Sequence, residues 1–184
     1  MNKVYAILGP AGSGKSALVQ ELRRRGIPKI VSHTTRLPKT GEINGVDYHF
    51  VSNEEFTKVH PFEKVSYGGY LYGLSKEEVM EKINKYTVSI VDVDMEGVAQ
   101  LKKLLGTRLE SIFLLVDRET IFSRFMMHGE KLEDVKRRIE QAEALGEFDN
   151  WRSADYVVKN TGPMEVALLQ ILAIMGQVKT LGPA

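Results

Sequence analysis

Apolar runs and helical patterns alternate along most of the chain. The first run, Val4 to Leu8, is typical of a buried strand, and Ser16 to Arg25 then has the apolar spacing of a helix. The alternation continues in strands predicted at Ile27 to Ser32, Thr87 to Val91, Leu109 to Val116 and Tyr156 to Val158, and in helices predicted at Met95 to Leu105, Glu119 to Met127, Lys131 to Leu145 and Met164 to Val178. Because alternating strands and helices form βαβ units, the pattern predicts an α/β fold with a mostly parallel sheet covered on both faces.

The stretch from Thr34 to Tyr72 departs from this rhythm. It is rich in Tyr, Gly, His and charged residues, and its segments are short and alternating. We therefore expect a small β-rich insert carried on the α/β core.

A hairpin is predicted inside the insert. Residues 62–67 and 70–72 flank Gly68-Gly69, which is typical of two strands joined by a two-residue turn. In that register Val65 faces Tyr72, and Glu63 lies diagonal to Tyr72 on the same face of the hairpin. A carboxylate and a phenol can therefore line one pocket.

Bulk properties narrow the function classes. The chain has 184 residues, a formal net charge of +1 and no cysteine, so we expect one domain without thiol chemistry and without nucleic acid or an anionic membrane as partner. No apolar run approaches the ~20 residues that span a bilayer. Met1 to Leu8 leads directly into a glycine-rich loop, without the basic segment and cleavage site of a signal peptide, so a cytoplasmic location is expected.

The glycine-rich loop carries the first chemical signal. Gly9-Pro-Ala-Gly-Ser-Gly-Lys-Ser16 fits the phosphate-loop motif G-x-x-x-x-G-K-[ST], with a predicted strand before it and a predicted helix after it. Its backbone N–H groups can surround a phosphate, Lys15 can reach the β- and γ-phosphates of ATP, and the Ser16 hydroxyl can bind Mg²⁺. The alternative is a turn that merely caps a helix. The predicted ATP-binding residues of this segment are Gly9, Ala11, Gly12, Ser13, Gly14, Lys15, Ser16 and Ala17.

A more specific pattern follows the loop. It consists of Ser32-His-Thr-Thr-Arg-Leu-Pro-Lys39, then Gly41-Glu42, then Gly45-Val-Asp-Tyr-His-Phe50. Here the sequence resembles the guanylate kinases, whose pattern is a Ser followed by Thr-Thr-Arg-x-Pro-Arg-x-Gly-Glu-x-x-Gly-x-Asp-Tyr-x-Phe. The resemblance covers nearly the whole chain, from the phosphate loop to the predicted strand after Asp155.

The resemblance implies a three-layer P-loop NTPase core with a mostly parallel sheet, a GMP-binding insert and a helical lid. It places one domain over residues 1–184, with the core at 1–32, 84–123 and 139–184, the insert at 33–83 and the lid at 124–138. The implied reaction is direct in-line transfer of a phosphoryl group from ATP to GMP, and also to dGMP, with Mg²⁺ as the cofactor of ATP. ATP and GMP are the implied partners, and the protein is expected to be a monomer or a homodimer.

The resemblance also implies which residues bind GMP, namely Ser32, Arg36, Lys39, Tyr48, Glu63 and Tyr72. Their chemistry agrees with that role. A carboxylate such as Glu63 can accept both N1–H and N2–H of guanine, and a hydroxyl such as Ser32 can serve O6. The planar fork of Arg36 and the phenol O–H groups suit a phosphate.

Two aspartates follow the predicted strand that ends near residue 91. Asp92 occupies the position from which a carboxylate commonly holds Mg²⁺, here through a water, beside a phosphate loop. By resemblance Asp94 lies near GMP, and the alternative is that it caps the next helix.

Three residues are predicted on the ATP side beyond the loop. Arg124 and Arg138 match lid arginines that close over the ATP phosphates, where cations offset the charge of the transferring group. For Arg138 the alternative is a solvated surface position. Asn160 matches an asparagine near the adenine.

The chain departs from the family pattern at three places. Lys39 replaces an arginine, Leu74 occupies a position near GMP that is usually a small hydroxyl residue, and the lid reads Met126-Met-His-Gly129 instead of carrying an Arg-Gly run. Two other functions remain open: a phosphopeptide-binding module with the same fold, and a kinase for a different purine monophosphate.

Overall fold

The computed structural model describes residues 1–59 and 61–178 of the chain. These residues form two compact units: the first contains Met1–Val4 and Ile27–Leu109, and the second contains Tyr5–Gly26 and the chain from Glu110 onward. Residue 60 of the predicted insert and residues 179–184 of the predicted core lie outside the described residues.

The secondary structure follows the predicted alternation. The strands are β1 (Lys3–Leu8), β2 (His33–Thr34), β3 (His49–Phe50), β4 (Glu63–Tyr67), β5 (Tyr70–Leu74), β6 (Val88–Asp92), β7 (Leu109–Leu115) and β8 (Tyr156–Lys159). The α-helices are α1 (Lys15–Arg24), α2 (Asn53–Val59), α3 (Lys76–Lys85), α4 (Met95–Leu105), α5 (Arg118–Met127), α6 (Leu132–Ala144) and α7 (Met164–Ile174). No helix within the described ranges has the length and apolar character needed to cross a membrane.

In the second unit the strand order is β1, β7, β8. β7 and β8 are parallel, with Phe113 opposite Val157, and β7 is buried along most of its length. This is the continuous apolar type of strand that parallel sheets require. The helices of this unit bury apolar side chains such as Leu18, Leu22 and Leu168. The predicted α/β fold with parallel strands is confirmed.

In the first unit β2 to β5 form a separate small sheet in the order β3, β2, β5, β4. The hairpin of β4 and β5 has the predicted register, with Val65 opposite Tyr72. Gly68 and Gly69 both have positive φ values, 58° and 82°, as a tight turn of this type requires. β6 lies beside the start of β1, where the Lys3 N–H donates to the Thr87 carbonyl at 2.8 Å.

Two predicted elements differ in length. The strand expected over residues 27–32 is reduced to a parallel bridge at Lys29, since Pro28 has no N–H to donate and pairs only through its carbonyl. The last helix ends at Ile174, not at Val178. Gly176 has a φ of 65° there, and the N–H groups of residues 176 and 177 bond back to the last turn, which is a helix-terminating motif.

The insert contains helices that hydrophobic alternation did not indicate. α2 starts with a reciprocal pair in which Glu55 N–H donates to the Ser52 hydroxyl at 3.1 Å and Ser52 N–H donates to the Glu55 carboxylate at 2.8 Å. At the start of α3 the Ser75 hydroxyl accepts from the Glu78 N–H at 3.2 Å. Ser-x-x-Glu is a sequence signal for a helix start, so both helices were detectable from the sequence.

Candidate active site

The phosphate loop connects β1 to α1 in the second unit. Gly14 is the residue before α1, and its φ of 92° lies in the left-handed region. A Cβ at this position would stand 2.7 Å from Nδ2 of Asn160, so both the backbone conformation and the close approach require glycine. The loop is closed by a hydrogen bond of 3.1 Å from the Ser13 N–H to the Pro10 carbonyl. The motif therefore forms a closed, glycine-dependent loop between β1 and α1, and phosphate binding by this loop stays a prediction.

Lys15 lies against the loop it belongs to. Its ammonium group donates to the Gly9 carbonyl and, at 3.4 Å, to the Pro10 carbonyl. These are neutral acceptors, and a phosphate is a stronger acceptor for the same three N–H donors. The ammonium is thus held at the loop and can exchange its carbonyl partners for phosphate oxygens.

Arg124 and Asn160 hold the loop from its carbonyl side. The Arg124 guanidinium donates to the carbonyl groups of Gly12 at 3.2 Å, Ser13 at 3.0 Å and Asn160 at 2.7 Å. The side-chain amide of Asn160 donates to the Ser13 carbonyl at 2.7 Å, and Asn160 is 3% exposed. In this structure both side chains brace the phosphate loop. The predicted contacts of Arg124 with phosphates and of Asn160 with adenine stay predictions.

Arg138 lies on α6 with an acidic partner. Its guanidinium is 2.9 Å from the Glu130 carboxylate and 5.4 Å from the centre of the Phe125 ring. Phe125 belongs to a small apolar cluster in which Ile121 of α5 and Val135 of α6 are buried. The region predicted as a lid is thus a packed pair of helices that presents Arg138 at its surface.

In the first unit, three of the residues predicted to bind GMP lie together. The Arg36 guanidinium is 5.5 Å from the Tyr48 ring centre, and its interaction with Tyr72 contributes to the raised pKa of Arg36. The rings of Tyr48 and Tyr72 meet edge to face at 5.8 Å. Burial raises the pKa of Tyr48 to about 12, and the negative charge of Asp92 adds to the effect. Tyr48 is therefore a phenol donor at neutral pH, which suits recognition of a phosphate.

Glu42 is a member of this group to which sequence analysis gave no role. It holds Arg36 through two hydrogen bonds of 2.8 and 2.9 Å and accepts a third, of 2.6 Å, from the Lys39 N–H. These bonds raise the pKa of Arg36 and lower that of Glu42. The Gly-Glu step in the family pattern was the available signal.

The Lys39 side chain is exposed, and Ser32 is buried.

Glu63 is a buried acid on β4. It is 6% exposed and lies directly opposite Leu74, in the register that also places it diagonal to Tyr72 as predicted. Burial, followed by the negative charge of Asp94, raises the pKa of Glu63, a hydrogen bond with the Leu74 backbone lowers it, and the net pKa is about 7. Within residues 1–59 and 61–178 no basic side chain pairs with Glu63. A buried acid of this kind is unusual in a structural role and is typical of ligand-binding sites.

The two aspartates after β6 have different surroundings. Asp94 is the N-cap of α4, where its carboxylate accepts from the Gly97 N–H at 2.8 Å, so the capping alternative is observed. Its contact with GMP stays a prediction. Asp92 is half-buried at the end of β6, and its negative charge raises the pKa of Tyr48.

The predicted magnesium ligands are oxygen donors. Ser16 presents an exposed hydroxyl in the first turn of α1, and Asp92 presents a carboxylate. Across residues 1–59 and 61–178, no three His, Asp or Glu side chains gather into a metal site. Each of these side chains is an oxygen donor of the kind that Mg²⁺ prefers, and Mg²⁺ commonly takes its other ligands from waters and substrate phosphates.

Comparisons with known proteins agree with these features. A protein-family model described as guanylate kinase matches residues 1–175. The guanylate kinase of Schizosaccharomyces pombe is 34% identical, with coverage of 91% of this chain and 90% of the relative. That of Pseudomonas fluorescens is 33% identical, covering 85% and 79%. Guanylate kinase 2, chloroplastic/mitochondrial, of Oryza sativa is 31% identical over 94% of this chain, which spans 63% of that relative's length.

Two solved structures share the fold. A crystal structure of guanylate kinase from Anaplasma phagocytophilum has a TM-score of 0.68 and 23% identity, covering 98% of this chain and 90% of that one. Shikimate kinase from Bacteroides thetaiotaomicron has a TM-score of 0.50 and 14% identity, covering 95% and 98%. At these identities the likeness concerns the fold, and it confirms the expected P-loop kinase architecture.

The brace on the phosphate loop generates a stability prediction. Asn160→Ala removes a buried donor to the Ser13 carbonyl, so we expect the free energy of unfolding to fall by about 1–3 kcal/mol. The matched control, Asn84→Ala, alters an exposed asparagine of α3 and should change it by less than about 0.5 kcal/mol. Urea unfolding followed by circular dichroism measures both. Equal effects of the two substitutions would contradict the bracing role.

Proposed function

The chain belongs to the guanylate kinase family, and we propose that it transfers the γ-phosphoryl group of ATP to GMP, giving ADP and GDP. The observation that carries the proposal is the set of predicted GMP-binding residues in the first unit. It combines a cationic fork, two phenols and a buried acid on one small sheet and its adjoining loop. A nucleoside monophosphate with a guanine base needs these three kinds of partner.

The phosphate loop supports the donor half of the reaction. Its N–H groups and the N-terminus of α1 suit the phosphates of ATP, and Lys15 supplies a positive charge whose carbonyl partners a phosphate can replace. Mg²⁺ bound with ATP would neutralise charge on the β- and γ-phosphates, and the Ser16 hydroxyl and Asp92 are its proposed protein ligands, the latter through a water.

The acceptor half rests on positioning. Glu42 fixes the plane of Arg36, so that the guanidinium is oriented before a phosphate arrives. Tyr48 and Tyr72 donate O–H groups, Lys39 adds an exposed point charge, and the Ser32 hydroxyl can serve guanine O6. Glu63 accepts from the N1–H and N2–H of guanine when it is charged.

Transfer proceeds directly, by in-line attack of a GMP phosphate oxygen on the γ-phosphorus of ATP, with ADP as the leaving group. The donors of Lys15 and Arg138 then neutralise charge that spreads over the transferring oxygens. For Arg138 this requires an exchange, because Glu130 holds its guanidinium in the present structure. Lid closure also excludes water and so limits hydrolysis of ATP.

The finer properties are proposals of the same kind. We include dGMP as a second acceptor, since no residue of the group is assigned to the ribose 2′-hydroxyl. A cytoplasmic location and a monomeric or homodimeric state follow from the sequence expectations alone. A phosphopeptide-binding module without chemistry is disfavoured, because the loop retains both Lys15 and Ser16 in a formed anion-binding conformation.

Lys15 provides a direct test of the loop chemistry. We expect Lys15→Ala to abolish phosphoryl transfer while the fold remains, because the described hydrogen bonds of the ammonium are made to loop carbonyl groups. Lys103→Ala, which removes an exposed lysine from α4, is the matched control and should keep wild-type turnover. ADP formation with ATP and GMP is the measurement. Transfer by the Lys15 variant within about tenfold of wild type would rule out the proposed role of this lysine.

Glu63 provides the test of base recognition. Glu63→Gln keeps the size of the side chain but turns one acceptor into a donor that faces the donors of guanine. An unpaired buried polar group costs about 1–3 kcal/mol, so kcat/KM for GMP should fall at least about tenfold, with ATP affinity unchanged. The preference for GMP over AMP should shrink at the same time.

The control for Glu63→Gln is Glu54→Gln, an exposed position on α2 of the same unit. Both variants and the wild type are assayed for kcat/KM with GMP and with AMP at saturating ATP. Unchanged GMP efficiency in the Glu63 variant would show that another residue reads the base.

A further inference from the structure

Leu74 and Glu63 are paired across the hairpin. They are directly opposite each other in the β4–β5 register, so their side chains project from the same face with Cβ atoms about 5 Å apart. Leu74 is fully buried and Glu63 is nearly so. The base-reading carboxyl group therefore has an apolar side chain as its nearest cross-strand neighbour, where a small hydroxyl residue would offer a hydrogen bond.

The described charged groups that act on Glu63 are acidic. Asp94 and Glu96, at the start of α4, both act on it through their negative charge, and β4 packs against α4. On β5 the diagonal neighbour of Glu63 is Tyr72, which interacts with the Arg36 guanidinium. Tyr70 lies further along the strand and is exposed. The Leu74 backbone supplies the hydrogen bond that favours the charged form.

This environment favours a carboxyl group that keeps its proton near neutral pH. Desolvation and like charge both oppose ionisation, and the pKa of Glu63 is accordingly raised to about 7. In the free protein near neutral pH, Glu63 is therefore present in both its neutral and its charged form.

Guanine cannot use the neutral form equally well. A charged carboxylate presents two acceptors to the N1–H and N2–H donors, whereas a carboxylic acid presents one acceptor and one O–H donor. The O–H would face a guanine donor. The acid form instead complements adenine, whose N1 is an acceptor beside the N6–H₂ donor.

We propose that Leu74 couples GMP binding to the release of a proton from Glu63 to solvent, so that affinity for GMP and the preference for GMP over AMP both fall as the pH drops below neutral. Leu74 is then a positioning residue that sets the pH range of base recognition. The inference rests on the proposed function, because it concerns the residue that reads the base.

Proton release on GMP binding is the test. GMP is titrated into the whole protein without ATP, by calorimetry at pH 7.0 in two buffers with different ionisation heats. The wild type should release about half a proton per GMP from Glu63 at pH 7.0 and almost none at pH 8.5. The GMP phosphate, with a second pKa of about 6, adds only about 0.1 proton at pH 7.0. As the pH falls below 7, the affinity of the wild type for GMP should drop about tenfold per pH unit. This drop should come in addition to any pH-dependent drop that Glu63→Gln shows.

Two variants assign the effect to Leu74. Leu74→Ser places a hydroxyl beside the carboxylate, so proton release at pH 7.0 should drop below about 0.2 and the fall in affinity should move about one pH unit lower. Leu71→Ser is the matched control: it makes the same change three residues earlier, on the opposite face of β5, and should behave as wild type. Leu74→Thr, which keeps more apolar volume, serves if Leu74→Ser does not fold.

The outcomes are distinguishable. GMP binding without proton release by the wild type at pH 7.0 would overturn the inference and leave the proposed function intact. Wild-type proton release in folded Leu74→Ser or Leu74→Thr would overturn the role of Leu74. Absence of GMP binding at any pH would overturn the proposed function itself.

Discussion

Both proposed substrates are polyanions, yet the chain has a formal net charge of only +1. Local cations must therefore do what a strongly positive surface does elsewhere, and each must be held in place before a phosphate arrives. Arg36 is fixed by two hydrogen bonds to Glu42, and Arg138 is held by Glu130. Lys15 is held by neutral carbonyl groups of its own loop. For Lys15 and Arg138, the proposed chemistry depends on the exchange of these protein oxygens for phosphate oxygens.

The strength of each partner sets how easily its cation is released. Carbonyl groups compete weakly with a phosphate, so Lys15 is ready to engage ATP. The ion pair of Arg36 with Glu42 is bidentate and partly buried, and it positions the guanidinium beside Tyr48 and Tyr72. That ion pair orients Arg36 and need not break, since a guanidinium has five N–H donors and can bind carboxylate and phosphate together. Glu63 shows the opposite arrangement: it is an acid with no basic partner among the described residues, and the proposed guanine base is its complement.

Much of this arrangement was predictable from the sequence. The phosphate loop and the hairpin register follow from local motifs, because Gly-rich turns and strand alternation fix backbone geometry over short distances. The grouping of Arg36, Tyr48 and Tyr72 was implied by the resemblance to the guanylate kinases. The capping boxes that start α2 and α3 were equally local, and hydrophobic alternation alone did not reveal them.

Other features depend on residues distant in the sequence. Arg124 and Asn160 meet the phosphate loop across more than 100 residues of chain, so no spacing rule could show that they donate to its carbonyl groups. The proton affinity of Glu63 likewise depends on burial and on the acids of α4. Each effect arises from packing within its own unit, and a sequence pattern does not encode it directly.

The central claim is that this chain phosphorylates GMP. It is tested most directly by ADP formation from ATP and Mg²⁺ at neutral pH, with GMP, dGMP, AMP, CMP and UMP offered one at a time. The account predicts rapid ADP formation with GMP, activity with dGMP, and little above background with the other three. ADP formation that is independent of GMP, or equally fast with AMP, would contradict it.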